Sequence, residues 1–414
     1  MAIYRRDFVF ESSQNSEITS FDELEKFTGV TILKEQAFDG CASLRSVDMR
    51  NLTSVERYAF RNCSSLAIEV YAPKLTGTLY YGTFTNSGIT AIKELGSITK
   101  ISSYDTSTGA IAGCNNLVSV ELPNTLTGIG AHALKNNPNL TTINIPEGIR
   151  SVGEYTFYNC TSLIIDDLSL PNLETLGKGA FYGVRINKIS NLGKITSIAD
   201  ETNTAQNFGD KTTLTEIVLP DTLTYIGNQM LRDYSSLVKC NIPSSVTYIG
   251  TAAFQNTSFS IENLSLPELT SLGQNAFYGV SIKNISNLGK ITTTPDSSWQ
   301  HEPFGKRDVL EKVILPDTLT SIGHYGFCGY TALKNITIPS GVTFLNNSTF
   351  EGCSSFEWVI CKPTTPPTLG NGYCFDRTND CPIYVPDESV EAYKTATNWT
   401  EYASRIKPIS EYTE

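Results

Sequence analysis

Long apolar runs are missing from this 414-residue chain, and none approaches the roughly eighteen residues that a membrane-crossing helix requires. Charge is scarce as well. Only 18% of residues are charged, and the net charge of −11 comes with no basic stripe, which argues against nucleic acid or an anionic membrane as partner. There are only three Trp and three His. The ten Cys are too sparse over this length for a disulfide scaffold. They form no CxxC pair and have no His at zinc spacing, so no metal site is expected. A phosphate-cradling glycine loop is absent, and the carboxylates are too scattered for a glycosidase pair to be named, so the sequence implies no cofactor and no catalytic residue. Near the start, YRRDFVF (4–10) superficially matches a twin-arginine export signal, but ESSQNSE follows in place of an apolar region.

What is present is self-similarity. LPNTLTGIG (122–130), LPDTLTYIG (219–227) and LPDTLTSIG (315–323) recur almost verbatim, as do two long segments beginning at Pro171 and Pro267. Alignment on an Ala-Phe step gives one column: Phe38, Phe60, Phe84, Ile111, Leu134, Phe157, Phe181, Phe208, Leu231, Phe254, Phe277, Phe304, Phe327 and Phe350, with Phe375 as a plausible last member. Most steps are about 23 residues, as from Leu134 to Phe157, and this period belongs to solenoids. In each unit a short strand such as that around Leu214, Ile217 and Leu219 turns its aliphatic residues inward. A proline ends it, a Thr-x-Ile-Gly piece makes a second wall, and the Ala-Phe ring fills the space between. One unit cannot bury its apolar side, whereas a stack of them makes a continuous core.

The column explains the cysteines. Cys41, Cys63, Cys114, Cys160 and Cys353 all lie three residues after it, where other units carry Asn137, Thr257 or Tyr330, so they read as reduced packing residues. Cys240 is expected at an inward strand position. Cys361, Cys374 and Cys381 fall in an irregular last unit, where one disulfide is left open.

The consensus IPxxVTxIGxxAFxxCxSLxxIxIP resembles the BspA-like class of leucine-rich repeat, over roughly residues 30–386. The resemblance implies an α/β repeat solenoid of about 15 units with short parallel strands, on the order of 70 Å long at a strand spacing of ~4.8 Å. It also implies a cell-surface or extracellular protein that contacts a host protein, a polysaccharide or another microbe, with no membrane insertion; the chain departs from that pattern in showing no export signal, so a surface location requires a signal that has been removed. The domain plan is an N-terminal arm (1–17), a helical cap (18–29) opened by a capping box at Ser20–Glu23, the repeats (30–386) and a C-terminal capping segment (387–414). In the last, Asp387 is expected to cap a helix, with Trp399 and Tyr402 packing on the end.

Three steps of the column are longer than the rest: Phe84 to Ile111, Phe181 to Phe208 and Phe277 to Phe304. They recur at an even interval of four units, so every fourth unit carries a longer loop, after Ile101, Ile198 and Thr294. The third, PDSSWQHEP, has the look of an active site, with His301 beside Glu302 and near Asp296. Successive long loops stand roughly 19 Å apart at the strand spacing, so they cannot share a site. They read instead as protruding contact loops, and Tyr104, Asp105, Asp200, Glu201, Asn203, Trp299, His301 and Glu302 are the candidate ligand-binding residues. His132 and His324 are expected on the surface of turns. The outward strand positions, among them Ser119, Thr142, Glu216, Lys239, Lys312 and Asn335, form a mixed ladder nearly free of aromatics, which reads as bland. The preferred function is non-enzymatic binding or adhesion. A virion or tail protein of a phage is the rival, motivated by Met1 with no signal before it, and an enzyme acting on surface glycans is a third reading.

Overall fold

The computed structural model describes residues 2–3, 17–26, 29–104, 108–201, 206–298 and 301–413. The chain forms two compact units, Met1–Ile195 with Glu201–Pro220, and Thr196–Asp200 with Asp221–Glu414. Both are parallel β-solenoids. In the first unit one ladder contains Glu69–Tyr71, Ala91–Glu94, Ser119–Glu121 and Thr142–Asn144, and a second contains Thr76–Leu79, Ser97–Ile101, Gly128–Ile129, Ser151–Val152 and Thr175–Leu176. Registers advance by whole coils: Ser119 pairs with Thr142 and Val120 with Ile143. The second unit repeats the plan, for example with Tyr225–Ile226, Tyr248–Ile249 and Ser271–Leu272. Each strand pair buries one aliphatic residue per coil, such as Ile129 and Val152 in one unit and Ile226 and Ile249 in the other.

The Ala-Phe column is the core. Phe38, Phe60, Phe84, Phe157, Phe181, Phe254, Phe277, Phe304, Phe327, Phe350 and Phe375 are all buried. Their rings stack at the coil repeat, 5.5 Å from Phe38 to Phe60, 5.2 Å from Phe157 to Phe181 and 4.8 Å from Phe304 to Phe327. Phe375 stacks on Phe350 at 5.4 Å and so completes the column.

The third side of each coil is where the α/β expectation needs correction: it is a chain of turns, and helices are scarce. In most turns two residues, two before and two after the column residue, have left-handed backbone; the turns at Ile111, Phe208, Phe304 and Phe375 depart from this. Tyr58 and Asn62 flank Phe60 at φ 58° and 59°, and His132 and Asn136 flank Leu134 at 57° and 60°. Left-handed residues four apart break any α-helical hydrogen-bond run. The turn amides instead donate to the following coil, as Phe60 N does to Thr83 O at 2.8 Å and Leu134 N to Thr156 O at 3.0 Å. The third wall is therefore also bonded from coil to coil.

The ends differ from expectation in detail. Ser20–Phe21 is a strand, paired with Ser46–Val47, and Asp22–Lys26 is one 3-10 turn, so Ser20 opens no capping-box helix. Ala2–Ile3 pairs in parallel with Ile32–Leu33. At the other end a 3-10 turn Asp387–Ser389 leads into the short α-helix Val390–Thr395, and Trp399–Arg405 is again 3-10. Asp387 does not cap this helix; its carboxylate accepts the Ser410 N–H at 3.0 Å. Trp399 and Tyr402 do cover the final coil. Both are buried against Phe375, and the Trp399 indole donates to Pro367 O at 2.8 Å.

Candidate functional site

Several of the described polar groups of the long loops bond to the fold. In the first, Ser103 and Gly109 pair as an antiparallel bridge. Tyr104 is 68% exposed, and its ring stacks on Tyr81 at 4.8 Å. Tyr81 meets Tyr58 edge-on at 5.3 Å and accepts a hydrogen bond from Arg57 at 2.9 Å. In the second loop the Asp200 carboxylate accepts both the N–H and the side-chain amide of Asn228, at 2.8 and 2.9 Å. Glu201 is 2% exposed and accepts the Asn207 N–H at 2.7 Å, while Asn207 accepts the Gly179 N–H at 2.9 Å. Burial of this kind removes Glu201 from any solvent-facing contact surface. Asp296 repeats the role of Asp200 in the third loop, accepting the His324 N–H at 2.8 Å. Asp105, Asn203 and Trp299 lie outside the described residues.

The cluster that resembled an active site is bonded within itself. His301 Nδ1 and Ser298 Oγ are 2.6 Å apart, and the His301 carbonyl accepts from Ser297 Oγ and Arg307 Nη2, each at 2.9 Å. The ring meets Tyr278 edge-on at 5.3 Å. Glu302 stands 4.0 Å from Arg307, and burial raises its carboxyl above the ordinary value against the opposing pull of that guanidinium. A Ser–His contact alone is not a nucleophile site, because the base also needs an orienting partner and a place for the oxyanion. Among the described residues the His301 ring makes no hydrogen bond or ion pair with Asp296 or Glu302. His132, expected on the surface, is only 3% exposed, because its left-handed turn lays the ring against Tyr155 at 5.5 Å. Among the described residues no group of His, Cys, Asp and Glu is placed to hold a metal ion.

A better-formed recess lies on the outward strand face of the second unit, where the sequence reading saw a bland ladder. Lys312–Val313 closes a three-stranded ladder with Ser260–Ser265 and Ser281–Asn287, and Asn335–Ile338 opens the next with Trp358–Cys361. Between the two the pairing lapses, with Lys334 N reaching Glu311 O at 3.4 Å. A cleft of about 770 Å³ spans this junction, within the range of ligand sites. Outward residues of the flanking strands line it, including Asn284, Lys312, Asn335 and Trp358, together with Lys334 and Lys362. Trp358 sits directly beside Asn335 in register, half-buried, and its indole meets Tyr412 at 5.0 Å. The three lysines are exposed and have no ion-pair partner among the described residues. Three outward lysines elsewhere are paired: Lys93 with Glu121, Lys188 with Glu216 and Lys283 with Glu262.

The family model described as BspA type leucine rich repeat region (6 copies) matches residues 7–105, 105–208, 204–304 and 297–396. The chain belongs to this family. As a BspA-type repeat protein it shares its fold with a leucine-rich repeat protein from Bacteroides ovatus, at 22% identity over 92% of this chain and 88% of the other, with a TM-score of 0.54. A leucine-rich repeat protein of T. pallidum is 19% identical over 53% and 81% of the two chains (TM-score 0.28), and a leucine rich cell surface protein of Faecalibacterium prausnitzii is 17% identical over 91% and 73% (TM-score 0.24). No curated protein sequence matches the chain. In BspA-type terms the cleft occupies the outward strand column. Its aromatic was open to the sequence reading: one further step of the repeat period from Asn335 lands on Trp358.

Proposed function

We propose that the chain is a non-enzymatic binding protein of the cell surface or extracellular space, which holds a protein or polysaccharide against the outward face of its strand ladders. The observation that carries this reading is the cleft beside Trp358, where an indole, amides and unpaired ammonium groups face solvent together. Buried in the fold, Glu201 drops out of the contact surface, whereas the half-buried Asp200 and the exposed ring of Tyr104 remain candidates for it. The repeated core supports the reading too, since it gives a rigid scaffold on which surface positions vary without cost to stability.

The test is binding of the purified chain to panels of extracellular-matrix proteins and polysaccharides, beside Trp358→Ala. Saturable binding that Trp358→Ala lowers without changing the melting temperature supports the proposal. Undiminished binding moves the interface elsewhere on the chain. Turnover of a bound polysaccharide that disappears in His301→Ala overturns the non-enzymatic reading.

A further inference from the structure

We infer that the cleft beside Trp358 takes an acidic polysaccharide, one whose sugar units carry carboxylate or sulfate groups; this rests on the binding reading above and names its ligand class. Three features of the cleft converge on that chemistry. First is charge. Lys312, Lys334 and Lys362 point into one recess with no ion-pair partner among the described residues, although the acidic chain has carboxylates to spare and pairs other outward lysines with them. Unpaired ammonium groups beside a recess are the donors that carboxylate and sulfate oxygens require. Glu311 and Asp317 also border the cleft, so its excess of positive charge is small and favours spaced anionic groups over a dense polyanion.

Second is the polar lining. Asn335 presents both an acceptor and donors, and Asn284, whose amide already donates to Glu262 O at 3.2 Å, keeps its acceptor and one N–H, which match sugar hydroxyls acting in both directions. Third is the single aromatic. The half-buried Trp358 keeps part of its indole at the recess, a flat apolar surface for the C–H face of a sugar ring. Outward side chains on successive parallel strands recur every ~4.8 Å, close to the advance of one sugar unit along a chain. An acidic peptide would answer the lysines alone. It would want apolar pockets for alternate side chains, but of the apolar lining Leu288, Val313, Leu315 and Pro339 are buried, and Ile314, Pro316 and Trp358 alone keep exposed surface there.

The experiment measures affinity of the full chain for polygalacturonate, chondroitin sulfate, uncharged dextran and poly-glutamate, by calorimetry at low and physiological salt. Expected are binding to at least one of the two acidic polysaccharides, none to dextran, and weakening as salt rises. Lys312→Ala and Lys334→Ala are each expected to lower that affinity about 10- to 100-fold, the span of a charge-assisted hydrogen bond. Trp358→Ala should lower it too, and Lys290→Ala, whose ammonium already pairs with Glu268, should leave it unchanged. Circular dichroism melts of every variant separate lost binding from lost fold. Dextran or poly-glutamate bound as tightly as the acidic polysaccharides overturns the inference, as does a lysine pair whose removal changes nothing. A chain that binds matrix proteins but no polysaccharide overturns the ligand class and leaves the binding reading standing. A chain that binds nothing on either panel overturns both.

Discussion

The Cys63 thiol donates to the main-chain carbonyl of Phe38, 3.0 Å away and one coil earlier. The same bond recurs from Cys114 to Phe84 and from Cys353 to Phe327 at 3.0 Å, and from Cys160 to Leu134 at 3.2 Å. The cysteines are thus more than fillers of a small space, since each adds a second bond to a buried carbonyl that already accepts from its own turn, as Phe38 O does from Cys41 N at 3.1 Å. Burial in an apolar setting also disfavours the thiolate, pushing Cys114 up to about 11 and Cys160 up to about 12. The thiolate is the reactive species, so these groups are expected to be inert in the folded chain. Maleimide labelling at pH 8, read by intact mass, should add little or no label under native conditions, since burial pushes up the thiol of the half-exposed Cys240 as well, and ten after denaturation in guanidinium. Rapid native labelling at several sites would show that the column is not closed.

Where the cysteine is replaced by Asn137, the side chain takes on more. Its amide donates to Ile111 O and Leu134 O at 2.8 Å, and its carbonyl accepts the Cys114 N–H at 2.8 Å. Asn137→Ala leaves buried partners unmet, at about 1–3 kcal/mol each. Asn137→Cys restores one donor toward Ile111, as in neighbouring coils, and is expected to fall between wild type and Asn137→Ala. Urea unfolding of the three proteins checks the order.

The repeat period, the inward column and the long-loop phase were legible in the sequence because they rest on one spacing that recurs with little noise. The third wall was not, since left-handed residues such as Tyr58, His132 and Tyr155 carry side chains that do not announce a positive φ. That same conformation buried His132, which residue type alone would have placed in solvent. Loop composition misled in a related way. Asp200, Glu201 and Asp296 look like a solvent-facing acidic set, yet each closes backbone N–H groups of its own or the next coil. Trp358 lies one further step of the period beyond Asn335, in the unit where the repeat becomes irregular.

The phenylalanine column can be tested one residue at a time. Phe157 and Phe277 are fully buried and stack on Phe181 and Phe254. Phe157→Ala and Phe277→Ala are each expected to cost about 3–5 kcal/mol, since the stiff coils on both sides limit collapse of the cavity. A change under about 1 kcal/mol at both positions in equilibrium unfolding would remove the column from the core.

The loops should separate stability from contact. Asp200→Ala leaves the Asn228 N–H and amide without their acceptor and is expected to destabilise, whereas Tyr104→Ala removes an exposed ring and should leave the melting temperature within a degree or so. Shortening the first loop to an ordinary turn is expected to be tolerated. Shortening the second should fail, because Glu201 and Asn207 bridge it to Gly179. Differential scanning fluorimetry of the four variants distinguishes these outcomes.

Two carboxylates give opposite dependences on pH. Glu302 is held above its ordinary 4.5, mainly by desolvation. The fold therefore binds its proton more tightly than the unfolded chain does, and the stability this confers below 4.5 is lost as pH rises through the folded value. Asp387 is held below its ordinary 3.8 by the N–H of Ser410, so its contribution is present above 3.8 and is lost as pH falls through the folded value. Glu302→Gln should accordingly flatten the decline in urea midpoint from pH 4 toward neutrality, and Asp387→Asn should flatten the decline below pH 4. If the two substitutions leave the pH profile of the midpoint superimposable on that of the parent chain, the buried setting of Glu302 and the anchoring of the C-terminal segment through Asp387 are both wrong.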